Sequence, residues 1–368
     1  MCNPEIIGAQ LFFFMPELCI KSKDTCTNSK RFEHQKYMDK VKELYNIDIK
    51  ENTIRHLDDA LLAILLKDKS SGKNLIWATD TYAWRGVGFE PQDYITVKAI
   101  TGWRGNIIKP RTEKSQKEQR QRIKNKAEVF TPSWVCNRQN NLVDNAWFGR
   151  ENVFNIGTAQ GWQTNSDKIV FPAIDGKTWQ DYVKANRLEI TCGEAPYLTS
   201  RYDTVSGEFI ELHNRIGLLD RKIRVISENV DDESEWMKWA YIAYKSIYGF
   251  DFQGDNVLIA RENLLFTFID AYIAKFDVPP IKEYLIQIAK ILAWNIWQMD
   301  GLKYVIPYSC KPKVSRQVSL FDEETIREEC PGCIKKDNTK HTGIYCKIMN
   351  WTRQHTETFI SQIGRKNK

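Results

Sequence analysis

No apolar run in this 368-residue chain reaches the roughly 20 residues that a membrane-crossing helix needs. The run Ile6 to Met15 comes nearest, but Glu5 precedes it, Pro16 interrupts it, and neither a basic leader nor a small-residue cleavage site accompanies it; it reads as a buried strand or helix. No membrane partner is expected, the expected location is cytoplasmic, and the nine cysteines are expected to be reduced. No segment repeats at a fixed period, which argues against a solenoid. His213 is followed by Asn214-Arg215, so the His-x-Glu of a zinc deaminase is missing. Asp58, Asp59 and Asp80 have no Glu-x-Lys after them at the spacing of a metal-dependent nuclease, and residues 1–108 read as an accessory module.

What is present supports a sizeable core: 42% of residues are hydrophobic, including twelve tryptophans and seventeen phenylalanines. The net charge of +6 is local. Residues 109–126 hold eight bases against two acids, and residues 112–128, free of Gly and Pro, read as an exposed basic helix (109–128) with Lys117, Arg120 and Lys124 along one stripe. Such a stripe suits phosphates and positions DNA without reading its sequence.

Phe130-Thr131-Pro132 stands some sixty residues before Leu188-Glu189-Ile190-Thr191-Cys192-Gly193-Glu194-Ala195-Pro196-Tyr197. The first reads locally as a helix start, with Thr131 as N-cap and Pro132 in the first turn. The second reads as a strand, Leu188 to Thr191, breaking into a small-residue turn where Gly193 and Ala195 let backbone approach a ligand. Next come an acidic helix start at Asp231 to Glu235 and a face of Trp236, Trp239, Ala240, Ala243, Tyr244 and Ile247, leading to a short apolar run that ends in Asp251. A helix with Val257, Ala260, Arg261, Leu264, Leu265 and Phe268 on one side follows, then a helix from Tyr284 to Ala293 and a strand ending at Asp300. Strands alternating with helices and ending in acids predict a doubly wound α/β sheet.

These segments, in this order, resemble the N6-adenine DNA methyltransferase family, the modification subunits of restriction systems, over roughly residues 120–302. The resemblance implies an S-adenosylmethionine site. Phe130, Thr131, Pro132, Thr191, Cys192, Gly193, Glu194 and Ala195 would flank the methionine part, Asp251 would bind the ribose, and Asp300 would meet the adenine amine. It also implies a methyltransferase-like domain at 129–309, double-stranded DNA as substrate, and a restriction or specificity subunit as partner. The family's Asp/Asn-Pro-Pro-aromatic tetrapeptide is absent. Val305-Ile306-Pro307-Tyr308 keeps a proline and an aromatic ring without the acceptor. Asn350-Trp351, after the strand-like Ile344 to Met349, keeps acceptor and ring and is the preferred catalytic candidate. Two readings follow: a working adenine methyltransferase, or a catalytically inactive DNA-binding or scaffolding subunit acting with a partner.

Residues 310–368 form a Cys-rich segment preceded, within 312–329, by a polar insertion. Cys330-Pro331-Gly332-Cys333 makes one metal-binding knuckle, and Cys346 with either Cys310 or His341 would complete a structural zinc site.

Overall fold

In a computed structural model of the chain, residues 47–126, 128–172, 176–318 and 323–363 are described. The run Ile6 to Met15 lies outside them. Between Glu51 and Leu65 the chain forms two helices, α1 (Glu51–Leu57) and α2 (Asp59–Leu65). Asp58 separates them because its extended backbone lets its carboxylate accept from the Ala60 N–H and cap α2. A short α3 (Val97–Ile100) follows, then the basic helix α4 (Gln116–Lys126) and α5 (Ser133–Phe148). Pro132 is the N-cap of α5, one residue later than the sequence suggested. A small antiparallel hairpin, β1 (Asn155–Gly157) with β2 (Trp162–Thr164), follows.

After α6 (Trp179–Lys184) the chain builds a parallel three-stranded sheet from β3 (Arg187–Ile190), β4 (Ile247–Asp251) and β5 (Ile296–Gln298), with β4 in the middle. Parallel neighbours require long crossovers. Helices α7 (Leu218–Asn229) and α8 (Glu233–Lys245) make the first, and α9 (Gly254–Phe276) and α10 (Lys282–Asn295) the second. The face expected on α8 is buried from Trp236 to Tyr244, and the Asp232 carboxylate caps the helix at the Glu235 N–H. Helix α9 is buried almost all round, which marks it as the central helix.

Residues 47–108 pack directly on this sheet. The Gln298 side chain at the end of β5 exchanges two hydrogen bonds with the Ile76 backbone (3.0 and 2.9 Å), and the Gly254 N–H donates to the Trp77 carbonyl (3.0 Å). Arg261, buried in α9, donates to the carbonyls of Leu65, Lys67, Ala293 and Ile296, so one guanidinium ties the ends of α2 and α10 together.

Beyond β5, Phe250, Trp297, Met299, Ile306 and Cys346 form a core cluster beneath the C-terminal segment. That segment contains the hairpin β6 (Lys313–Val318) and β7 (Glu323–Glu328), the short α11 (Pro331–Lys335), the hairpin β8 (Lys347–Asn350) and β9 (His355–Thr358), and α12 (Phe359–Ile363).

Two buried acids have a consequence for stability. Both carboxylate oxygens of Glu51 and the Oε1 of Glu262 are buried without a hydrogen-bond partner, and burial pushes both groups well above the usual carboxylate range. Their folded pKa values therefore exceed the unfolded ones. The stability that comes from keeping them neutral is complete below the unfolded pKa and is lost as pH rises through the folded values, by about 1.4 kcal/mol per pH unit for each group in that window. In Glu262→Met, which ionises once less, thermal midpoints measured across pH should fall less steeply than in the wild type. Parallel curves would show that Glu262 ionises as freely in the folded state as in the unfolded chain.

Candidate cofactor crevice and metal centre

A crevice of about 670 Å³ opens at the carboxyl ends of β3 and β4. Its rim is a strained turn: Thr191, Gly193 and Ala195 all have left-handed backbones (φ 48°, 52° and 64°), unusual for a β-branched residue such as Thr191. Hydrogen bonds hold the strain in place. The Cys192 N–H donates to the Phe250 carbonyl (2.8 Å), the Ala195 N–H to the Cys192 carbonyl (2.7 Å) and the Gly193 N–H to Asp251 Oδ2 (3.0 Å). The Phe130 ring closes over Gly193, only 3.4 Å from where a Cβ would sit.

Carboxylates line this crevice, and among the described residues no Lys, Arg or His does. Asp251 also accepts from the Gln253 N–H (2.9 Å), yet burial raises its pKa to about 6. Glu189, inside β3, accepts from the Tyr197 and Leu198 N–H groups, and burial again pushes its carboxyl well above the usual range. Asn256 donates to both Glu128 (3.1 Å) and Asp251 (3.4 Å), and Gln253 leaves its Oε1 buried without a partner. Behind Glu128 stands Arg122, whose guanidinium pairs with it and with Asp255 (2.8 Å). Sequence reasoning missed Glu128, Glu189, Gln253 and Asn256. Only the position of Glu128, two residues before Phe130, hinted at its place.

The structure brings Phe130, Thr131, Thr191, Cys192, Gly193 and Asp251 together around the crevice. Glu194 and Ala195 turn away behind the rim. Glu194 accepts from the Arg111 N–H (2.6 Å) and the Tyr202 hydroxyl (2.7 Å), and Ala195 is buried. Pro132 caps α5, outside the lining. Asp300 is also outside it, because its carboxylate accepts from the Leu302 and Lys303 N–H groups of the turn it opens (3.1 and 3.2 Å).

Asn350 and Trp351 are not at the crevice. They line a second cleft with Arg187, Ser246 and Tyr248, at the amino ends of β3 and β4, and Leu188 alone borders both spaces. At about 3.3 Å of rise per residue, a strand of this length separates its two ends by roughly 10 Å. Both polar groups are also committed: Asn350 donates to Glu357 and accepts from the Arg353 N–H, and the Trp351 indole donates to Asn295. The expected strand end exists, but β8 is carried to the opposite edge by the packing of Ile348 on the Trp297 cluster.

On α4, Lys117, Arg120 and Lys124 are all exposed, as expected of a stripe. Arg122 on the same helix is buried.

The metal centre assembles from Cys310, Cys330, Cys333 and His341, whose ligand atoms all lie within 4.8 Å of one another. The three sulfurs stand 3.6, 3.6 and 3.7 Å from His341 Nδ1. Ligands about 2.0 to 2.3 Å from a tetrahedral zinc are separated by roughly 3.5 Å, so the set fits a Cys₃His zinc site. Gly332 is required in the knuckle, since a Cβ there would meet the His341 backbone nitrogen at 2.6 Å. Burial opposes ionisation of Cys330, but hydrogen bonds from Thr342 and Cys333 and the His341 ring outweigh it and bring the thiol down to about 5; burial and the neighbouring thiols push Cys310 up to about 12. A divalent cation would favour the thiolate at all three. Cys310 and His341 thus both belong, and Cys346 does not: its sulfur is buried in the core and donates to the Gln298 carbonyl (3.3 Å).

No family model, curated protein or solved structure matches the chain.

Protein purified without chelator should carry about one zinc per chain by metal analysis. Cys310→Ser and His341→Ala should each abolish tight retention, whereas Cys346→Ser, which can keep the bond to Gln298, should not. Loss of zinc in the Cys346 variant but not in the other two would reverse the ligand assignment.

Proposed function

We propose that the crevice is an S-adenosylmethionine site and that the chain is a modification-type subunit of an adenine-specific DNA methyltransferase. The observation that carries this reading is the lining of the crevice: Asp251 and Glu128, the latter shared with Arg122 behind it, and no Lys, Arg or His among the described residues that line it. A dinucleotide would bring an anionic pyrophosphate into that field. S-adenosylmethionine brings a sulfonium and an ammonium, for which carboxylates are the complementary partners. The location supports the same reading, because nucleotide-like ligands sit beyond the carboxyl ends of parallel strands. The volume is also in the usual range for a small-ligand site.

In this reading Asp251, which accepts N–H bonds from Gly193, Gln253 and Asn256, keeps a lone pair for a ribose hydroxyl, Gln253 Oε1 is an acceptor awaiting a donor, and Phe130 covers the turn. The cofactor, when bound, supplies an electrophilic methyl group. Double-stranded DNA would lie on the exposed face of α4. Between a chain that transfers the methyl group itself and one that contributes cofactor and DNA binding to a partner enzyme, the distance of Asn350 and Trp351 from the crevice favours the second.

Calorimetry should detect S-adenosylmethionine binding at pH 7.5. The affinity should weaken as pH falls through about 6, because protonated Asp251 loses acceptor capacity. Asp251→Asn should weaken binding by about 2 kcal/mol and remove that pH dependence. No binding by the wild type at pH 7.5 would end the cofactor reading. Transfer of labelled methyl groups to unmethylated genomic DNA by the isolated chain would overturn the preference for a partner-dependent role.

A further inference from the structure

A second large cleft, of about 820 Å³, lies between α4 and the loops around Tyr82 and Ile107. Five bases and three acids line it, the acids being Asp80, Glu113 and Glu118; Lys114 and Arg122 are buried, Arg122 in its pairs with Glu128 and Asp255, which leaves Arg85, Lys109 and Lys117 as the bases nearer the surface. Trp84 on its wall is 75% exposed, and the Arg85 guanidinium lies 4.4 Å over its ring. Even with Arg85 over it, the indole leaves most of its large apolar surface in water. Lys117, Gln121 and Asn125 on α4 and Asn106 on the neighbouring loop line the same cleft. The carboxamides of Asn106, Gln121 and Asn125 are exposed, and the structure gives them no side-chain hydrogen bond.

We propose that this cleft binds single-stranded DNA, with an unpaired base stacked on Trp84, its edge met by the carboxamides, and flanking phosphates on Arg85 and Lys117. Each part has a chemical reason. An aromatic face accepts any base but only an unstacked one, since a duplex offers no free base face. Asn and Gln side chains carry a donor and an acceptor side by side, the pattern that base edges present. Arg85 and Lys117 supply the charge that holds the backbone. Arg122, at the back of this cleft, reaches through to Glu128 and Asn256 on the wall of the crevice, so one layer of side chains separates the two spaces. The proposal rests on the DNA reading above and adds to it that an unpaired stretch of that DNA enters this cleft; it stands or falls without the cofactor.

Fluorescence anisotropy with a labelled deoxyoligonucleotide, the same strand carrying abasic sites throughout its centre, and a blunt duplex of equal length tests it. The wild type should bind the intact single strand on the order of tenfold more tightly than the abasic strand, a difference set by stacking. Trp84→Ala should erase that difference without changing the salt dependence, and Trp84→Phe should restore part of it. Lys117→Gln should lower the log–log salt slope by about 0.7 for the single strand. Equal affinity for intact and abasic strands would mean a general polyanion surface, and tighter binding to the duplex would mean a groove for paired DNA; either overturns the proposal. Because Trp84 is exposed, its variants should keep the wild-type thermal midpoint, which checks that they fold. Calorimetry with S-adenosylmethionine on the Trp84→Ala protein reads the cofactor site independently, so the failure of one assignment is distinguishable from failure of the other.

Discussion

One buried guanidinium organises most of this structure. Arg261 sits in the middle of α9, fully enclosed, and its donors are spent on carbonyls at the ends of α2 and α10 and at the start of β5. Helix C-termini leave carbonyls without intrahelical partners and carry partial negative charge, so a single cation there satisfies two helix ends at once. Burial lowers its pKa to about 10, which still leaves it charged at neutral pH. The result is that the N-terminal helices, the central helix and the sheet are registered to one another, and the end of β4, from which Asp251 projects, has a fixed position. Removing the side chain would strand several carbonyls in a dry interior, a far larger cost than the net value of the bonds themselves.

From that frame a chain of polar contacts runs outward. Asp251 holds the glycine turn, Asn256 joins Asp251 to Glu128, and Arg122 joins Glu128 to Asp255 at the first turn of α9. The basic helix is therefore attached to the crevice by buried Arg122, while Lys117, Arg120 and Lys124 face water. This places two concave surfaces on either side of a shared wall, with the Arg122–Glu128 pair inside it.

The C-terminal segment is anchored by a different physics. Val305 bridges both Asp300 and Tyr345, and Cys346 and Ile348 pack on Phe250 and Trp297, so the Cys-rich loops are held by apolar burial on one side. On the other side, four ligand atoms of Cys310, Cys330, Cys333 and His341 converge. A metal held by them would make such a loop assembly rigid.

The sequence by itself determined the elements whose cause is local. The burial of Trp236 to Tyr244 follows from helical spacing, the acids at Asp232 and Asp251 from capping and strand ends, and the Cys330-Cys333 knuckle from a two-residue loop with a glycine. It also brought Phe130, the glycine turn and Asp251 into one site through their order along the chain. Tertiary structure decided everything that depends on what lies opposite. Arg122 and Lys117 look alike in sequence, yet one is buried because Asp255, far along the chain, waits for it. Cys346 and Cys310 are equally plausible thiols, and only packing puts the first under Trp297 and the second beside His341. Asn350 ends a strand as read, but which end of the sheet that strand meets is fixed by contacts more than fifty residues away, and no local pattern encodes such a contact.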